Sequence, residues 1–212
     1  MPKSLFSYVV RYDSGFAPNP FFGFCTLATC KPDIRKAAQK GDWIVGTGSA
    51  SKAINRGGHL VFAMRVSETP STAEYWSDSR FKRKRASLYG GLMVASGDNI
   101  YEPIEMGWKQ LNSYHSNPNG TPNHDHIRRD TSVQRVLVSD RFIYCGAQGD
   151  RLPDRFQPDG EFPVVMTGIG YRRKKNLKII AAFEEWFETL PETGLRGEPW
   201  DWLHRNNRRK YF

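Results

Sequence analysis

Cysteine is scarce in this chain, which has only Cys25, Cys30 and Cys145. An odd count at loose spacing excludes a disulfide framework, and no four-ligand zinc pattern can be assembled from it. Long apolar runs are missing as well. No stretch reaches the roughly 18 apolar residues of a transmembrane helix. The opening MPKSLFSYVVRYD enters a strand-like run without the apolar segment of a secretory signal. These absences predict a cytoplasmic protein with no membrane partner. Repeats, heptads and linkers of disordered composition are also lacking. The glycine- and serine-rich stretch from Gly46 to Lys52 does not have the G-x-x-x-x-G-K-[ST] spacing of a phosphate loop. There is no G-x-S-x-G elbow and no kinase or dinucleotide fingerprint, so those enzyme classes are set aside.

What is abundant is positive charge and aromatic surface. Lys and Arg number 31 against 22 Asp and Glu, a formal charge of +9, and aromatics make up 13% of the chain. The charge is clustered in Lys82-Arg83-Lys84-Arg85, in Arg172-Arg173-Lys174-Lys175, and in Arg205, Arg208, Arg209 and Lys210. Such runs favour a polyanionic partner, because each phosphate neutralised releases condensed counterions. A membrane surface would call for a long basic amphipathic helix, and none is evident. A nucleic acid is the expected partner.

A chain of 212 residues, 39% of them hydrophobic, can bury a core without staples. It reads as one domain over residues 1–212, with a basic, aromatic tail at 196–212. Strands are expected at Leu5 to Tyr12, Phe24 to Thr29, Trp43 to Gly46, Leu60 to Val66, Val133 to Ser139, Phe142 to Cys145 and Phe162 to Val165. Pro32 to Gln39 suits a short helix, and Ser71 to Trp76 opens with the Ser71–Glu74 spacing of a capping box. Leu177 to Thr189 is the clearest helix, ended by Pro191 and Gly194. Phe81 to Asn123 reads as irregular. The expected fold is α+β: a small, strongly twisted mixed β-sheet or barrel with flanking short helices and one longer C-terminal helix.

Two segments carry chemistry-bearing side chains. In the Gly/Pro loop from Tyr12 to Phe22, Tyr12, Phe16 and Phe21 offer faces for a base, as does Trp43 at the start of the third strand. Asp13 and Asn19 offer hydrogen-bonding edges. The second segment, Tyr114 to Thr131, holds His115, His124 and His126 with Asp125, Asp130, Arg128 and Arg129. Read as an extended loop, it places His124 and His126 on one face. Acid–base chemistry fits these residues better than a metal, so no cofactor is expected. Asp13, Asp130, His115 and His126 are the catalytic candidates. Tyr12, Phe16, Asn19, Phe21, Trp43, Tyr114 and Asn123 are the base-binding candidates. Lys82, Arg83, Lys84, Arg85, Arg128, Arg129, Arg172, Arg173 and Lys174 are the phosphate-binding candidates.

Two resemblances sharpen this reading. Residues 35–85 contain a Lys40-Gly41-Asp42 turn, a strand ending in Arg65-Val66-Ser67-Glu68, then Glu74-Tyr75-Trp76 and Asp78-x-Arg80-Phe81. This stretch resembles the modified-base-reading branch of the PUA-like folds, the EVE and YTH domains. The resemblance implies a twisted barrel with an aromatic cage. More extensively, the segments beginning SYVVRYDSGFAPNPFFGF, with SYHS, HDHIRRDT and VLVSDRFIYCG, resemble the second nucleotide-modification-associated domain family over most of residues 5–148. That resemblance implies work on, or beside, hypermodified bases of phage and bacterial DNA. Base flipping follows, with stacking and edge hydrogen bonds holding the extruded base. With an acid or base from Asp13, Asp130, His115 or His126 near the sugar carbon, the expected enzyme is a DNA glycosylase acting against phage, a carboxylate stabilising an oxocarbenium-like charge. The alternative is a non-catalytic reader that serves a separate effector protein.

Overall fold

A computed structural model describes residues 3–204. The strands are β1 (Leu5–Val10), β2 (Cys25–Leu27), β3 (Trp43–Gly48), β4 (Leu60–Arg65), β5 (Tyr101–Ile104), β6 (Gly107–Gln110), β7 (Leu137–Ser139), β8 (Arg141–Tyr144), β9 (Tyr171–Lys174) and β10 (Gly194–Leu195). The helices are α1 (Pro32–Ala37), α2 (Thr72–Ser77), α3 (Leu92–Ala95), α4 (His124–Thr131), α5 (Leu177–Glu188) and α6 (Trp200–Leu203). Six strands form one mixed sheet in the order β10-β8-β4-β3-β1-β9. β1 lies parallel to β3, while β4 is antiparallel to both β3 and β8. The sheet is open, with β9 and β10 as its edges, so the barrel alternative falls away in favour of a sheet covered on both faces.

Period-two alternation decides what each face meets. Leu5, Trp43, Val45, Ala63 and Ile143 pack with Ile179, Ile180, Phe183 and Phe187 of α5. The opposite face carries Phe6, Tyr8, Val10, Ile44, Phe62 and Met64. It packs on Cys25 and Leu27 of β2, Leu137 of β7, and Ile34 of α1. β2 and β7 pair antiparallel as a small second sheet, and β5 and β6 form a hairpin.

Several local expectations hold. α2 starts at the predicted capping box: Ser71 Oγ accepts from Glu74 N while Glu74 Oε2 accepts from Ser71 N. α5 spans nearly the expected range. Residues 162–165 form no strand, although Val164 and Val165 are buried against α5. Residues 81–123 are more ordered than expected, holding α3 and the β5–β6 hairpin. Residues 124–131 are a helix rather than an extended loop. Asn123 caps it by accepting from His126 N, Asp125 sits in its first turn, and Arg128 and Arg129 lie in its last, matching the macrodipole.

Candidate active site

The helical form of residues 124–131 changes which side chains meet. His126 and Asp130 are four apart and share a helix face, whereas His124 turns away and is exposed. α4 packs through Ile127 on a satellite core of Phe16, Ala86, Ile100 and Tyr101. That core also receives Tyr114, so the segment before α4 delivers His115 to the same place.

At this place a line of hydrogen bonds runs through the interior. Cys30 Sγ lies 3.4 Å from His115 Nε2. His115 Nδ1 lies 2.5 Å from Asp130 Oδ2, and the Tyr101 hydroxyl donates to that oxygen at 2.8 Å. Asp130 Oδ1 accepts from Cys30 N at 3.1 Å. A thiol, an imidazole and a carboxylate are thus in series, the order in which a base activates a nucleophile and a third group orients the base. His115 and Asp130 are buried, while Cys30 is half-buried.

The backbone at the thiol is held under strain. Cys30 and Lys31 both have left-handed φ, +56° and +40°, where non-glycine residues rarely sit. Arg35 fixes this turn. Its side chain is fully buried; Nε donates to Cys30 O at 2.9 Å, and Nη2 donates to Asp130 O at 2.6 Å. Nη1 donates to the carbonyls of Val133 and Arg135 at 2.7 and 2.9 Å. One planar guanidinium therefore ties the Cys30 turn to the end of α4, which carries Asp130.

The electrostatics favour a charged imidazole. Burial alone would lower the His115 pKa. The hydrogen bonds to Asp130 and Cys30, and the charges on both, outweigh it and lift His115 to about 9. Burial would likewise raise Asp130, but hydrogen bonding and charge from His115, with help from Tyr101 and Arg129, hold it at about 2. His126, whose ring centroid is 4.3 Å from that of His115, is pushed down by burial and by the His115 charge.

One ligand atom from each of Cys30, His115 and Asp130 falls within 4.8 Å of the others, close enough to suggest a metal. The donor set argues otherwise. Both Asp130 oxygens already accept from protein donors, and His115 Nδ1 faces Asp130. Within this trio only the thiol and His115 Nε2, which face each other, are not engaged by another protein group, fewer than the three protein ligands of a catalytic zinc.

The sequence pattern of a family described as nucleotide modification associated domain 2 matches residues 1–206. The chain belongs to that family. No curated protein and no solved structure matches it. Membership associates this nucleotide modification associated domain with nucleotide modification, in agreement with the wider of the two resemblances. The PUA-like likeness of residues 35–85 gains no such support. Its Lys40-Gly41-Asp42 turn simply links α1 to β3 of the open sheet.

The other predicted residues of the domain are scattered. Phe16 is buried with its ring edge on His115 at 4.7 Å, and Tyr114 stands beside it, so both wall the relay. Trp43 is wholly buried against Phe183 and Phe187 and has no face to give a base. Asn19 is fully buried too: its amide donates to Gly15 O and Ser96 O, and its Oδ1 accepts from Lys84 Nζ at 2.6 Å. Phe21 stacks on Trp202. Asn123 serves as the α4 cap. Tyr12 is exposed beneath Arg11. Asp13 lies apart from the relay, accepting from the Tyr144 hydroxyl and from Trp200 N at 2.9 Å.

Of the basic residues, Lys82, Arg83, Arg128, Arg129, Arg172 and Arg173 are exposed. Arg85 and Lys174 are half-buried. Lys84 does not reach the surface at all. It is fully buried, donating to Asn19 and Phe24 carbonyls, with its pKa lowered to about 8 by desolvation despite the nearby Asp98 charge. The run Arg205 to Lys210 lies outside the described residues. No helix among the described residues is long and apolar enough to cross a membrane.

Sequence reasoning missed Cys30 and Arg35. A thiol between a strand and a proline-opened helix gave a signal only if residues 124–131 were read as helical. Their Asn cap and charge gradient would have permitted that reading.

Proposed function

We propose that this domain acts on a modified base in DNA by nucleophilic catalysis, with Cys30 as nucleophile, His115 as general base and acid, and Asp130 as the group that orients and charges the imidazole. The observation that carries the reading is the unbroken series Cys30–His115–Asp130–Tyr101, which begins at a half-buried cysteine. Family membership supports a substrate connected with nucleotide modification, and the +9 charge supports a polyanionic one. Exposed Arg128 and Arg129 on α4 flank the relay and suit phosphate contacts, while Phe16, Tyr114 and His126 suit the base. The setting is the cytoplasm, and the role is action against phage whose DNA carries bulky base modifications.

Cleavage of the N-glycosidic bond is less well supported by the geometry than cysteine chemistry. A glycosylase needs a carboxylate free to face the sugar carbon. Asp130 is engaged by His115, Tyr101 and Cys30, and Asp13 by Tyr144 and Trp200.

The test incubates pure protein, with chelator present, with phage DNA bearing glucosylated hydroxymethylcytosine and with unmodified DNA. Nucleosides are then analysed by mass spectrometry, and a portion of the DNA is heated in alkali. Altered nucleosides from modified DNA only, lost in Cys30→Ser, are expected. Alkali-labile sites that persist in Cys30→Ser would restore the glycosylase. Selective binding without product would make the domain a reader with a separate effector protein.

A further inference from the structure

We infer that the group attacked by Cys30 is a carbonyl, so that the domain removes an acyl substituent, held as an ester or amide on a modified base, through a thioester. This rests on the reading of Cys30 as a nucleophile and goes beyond it by fixing the reaction. The position of the proton points to a carbonyl. His115 is placed so that the proton leaving Sγ arrives on Nε2, while Nδ1 stays bonded to Asp130. A proton stored beside the attacked carbon is useful when that carbon must next expel a basic amine or alkoxide. Addition to a pyrimidine ring carbon has no such leaving group, and its proton is needed across the ring, away from the nucleophile.

The steps balance without any further reagent than water. The Sγ proton rests on His115 Nε2 as a thiolate–imidazolium pair; the thiolate attacks, the C–S bond forms, and the carbonyl electron pair moves to oxygen. Collapse breaks the C–N or C–O bond, and the departing amine or alkoxide takes the proton from His115. Water then gives a proton to His115 and adds to the thioester carbon. Loss of the thiolate releases the carboxylic acid and restores the pair, with that proton on His115.

A second observation points to a polar ligand at this place. Three buried side-chain atoms in the relay's neighbourhood have no protein partner: the Tyr8 hydroxyl, Thr29 Oγ1 and His126 Nδ1. Thr29 immediately precedes the nucleophile. Tyr8 lies under Lys31, whose Nζ is 4.4 Å from its ring, and within electrostatic reach of Cys30. Buried polar atoms are rarely left unsatisfied, and atoms left so beside a reactive centre suit substrate oxygens and nitrogens. Tyr8 and Thr29 are both donors, as a carbonyl oxygen gaining negative charge requires.

The experiment uses the full chain with two small probes that do not depend on DNA. The first is p-nitrophenyl acetate, followed by p-nitrophenolate release and by peptide mapping; the second is iodoacetamide, which alkylates a thiolate without acyl transfer. An initial burst, an acetyl group on the peptide carrying Cys30, and its release by water are expected. Cys30→Ser should abolish the burst, and His115→Asn should slow acylation on the order of 10²-fold or more. Rapid alkylation of Cys30 without acetyl transfer would overturn the acyl assignment and leave the nucleophile reading standing. An acetyl adduct that water does not remove would overturn hydrolysis. Failure of both probes at Cys30, in protein whose thermal unfolding shows that it is folded, would overturn the nucleophile reading as well.

Discussion

Replacing Asp130 by Asn tests the charge state of the relay. The substitution keeps the size of the side chain but removes its charge and turns one acceptor into a donor. Asp130 Oδ2 accepts from His115 at 2.5 Å and Tyr101 at 2.8 Å, and Oδ1 from Cys30 N at 3.1 Å, so the new amide must face a donor on either side. Breaking a buried ionic pair from one side costs about 3–5 kcal/mol. At about 2–4 °C per kcal/mol for a chain of this size, Tm should fall by ~6–20 °C. The sign of the pH dependence follows from the raised His115 pKa. A cation whose folded pKa is lifted stabilises fully below its ordinary value, near ~6.5, and loses that contribution as pH rises through about 9. Asp130, held at about 2, adds stability above the ordinary carboxylate range and loses it only on acidification towards that value. The gap in Tm between the parent and Asp130→Asn should therefore be widest near pH 6 and shrink by pH 10. Thermal melts at both pH values measure it, and iodoacetamide rates at Cys30 should fall in parallel at neutral pH. An equal gap at both pH values would refute the ionic relay.

Other perturbations separate the clamp, the surface and the scaffold. Arg35→Met strips donors from the carbonyls of Cys30, Asp130, Val133 and Arg135 and should cost at least ~3 kcal/mol in urea unfolding. Arg35→Lys should fail to rescue it, because one ammonium cannot span that fan. Alanine at Arg172, Arg173 and Lys174 on the edge strand β9 should flatten the salt dependence of DNA binding, leaving Cys30 alkylation unchanged. The slope should change by about 0.9 for each phosphate that the variant no longer neutralises. An unaltered slope would remove β9 from the DNA-binding surface. Ser71→Ala removes the capping box of α2 and should cost ~1 kcal/mol, with no change in alkylation rate.

Much of the framework was written locally. Alternation marks β1, and the Leu60 to Val66 run marks β4. The Ser71–Glu74 pair and the apolar stripe of α5 mark two helices. Residues 162–165 show the limit of such signals: their apolar character reflects burial under α5, which a coil can achieve as well as a strand. His115 and Asp130 stood out as ionisable residues in one segment, but their partnership needed the helical form of residues 124–131.

The sequence by itself determined the basic, aromatic character of the chain, the α+β class and the family, because composition and short-range pattern are properties of neighbours along the chain. Only the tertiary structure decided which groups act together. It withdrew Trp43, Asn19 and Lys84 into the interior, since a hydrophobic or charged letter does not say which way its side chain points. It brought Cys30 to His115 across a separation of 85 residues and fixed the turn through Arg35. Such a meeting has no local signal, because it arises where Asp130 and Arg35 tie the β2–α1 turn to the β6–α4 segment and the end of α4.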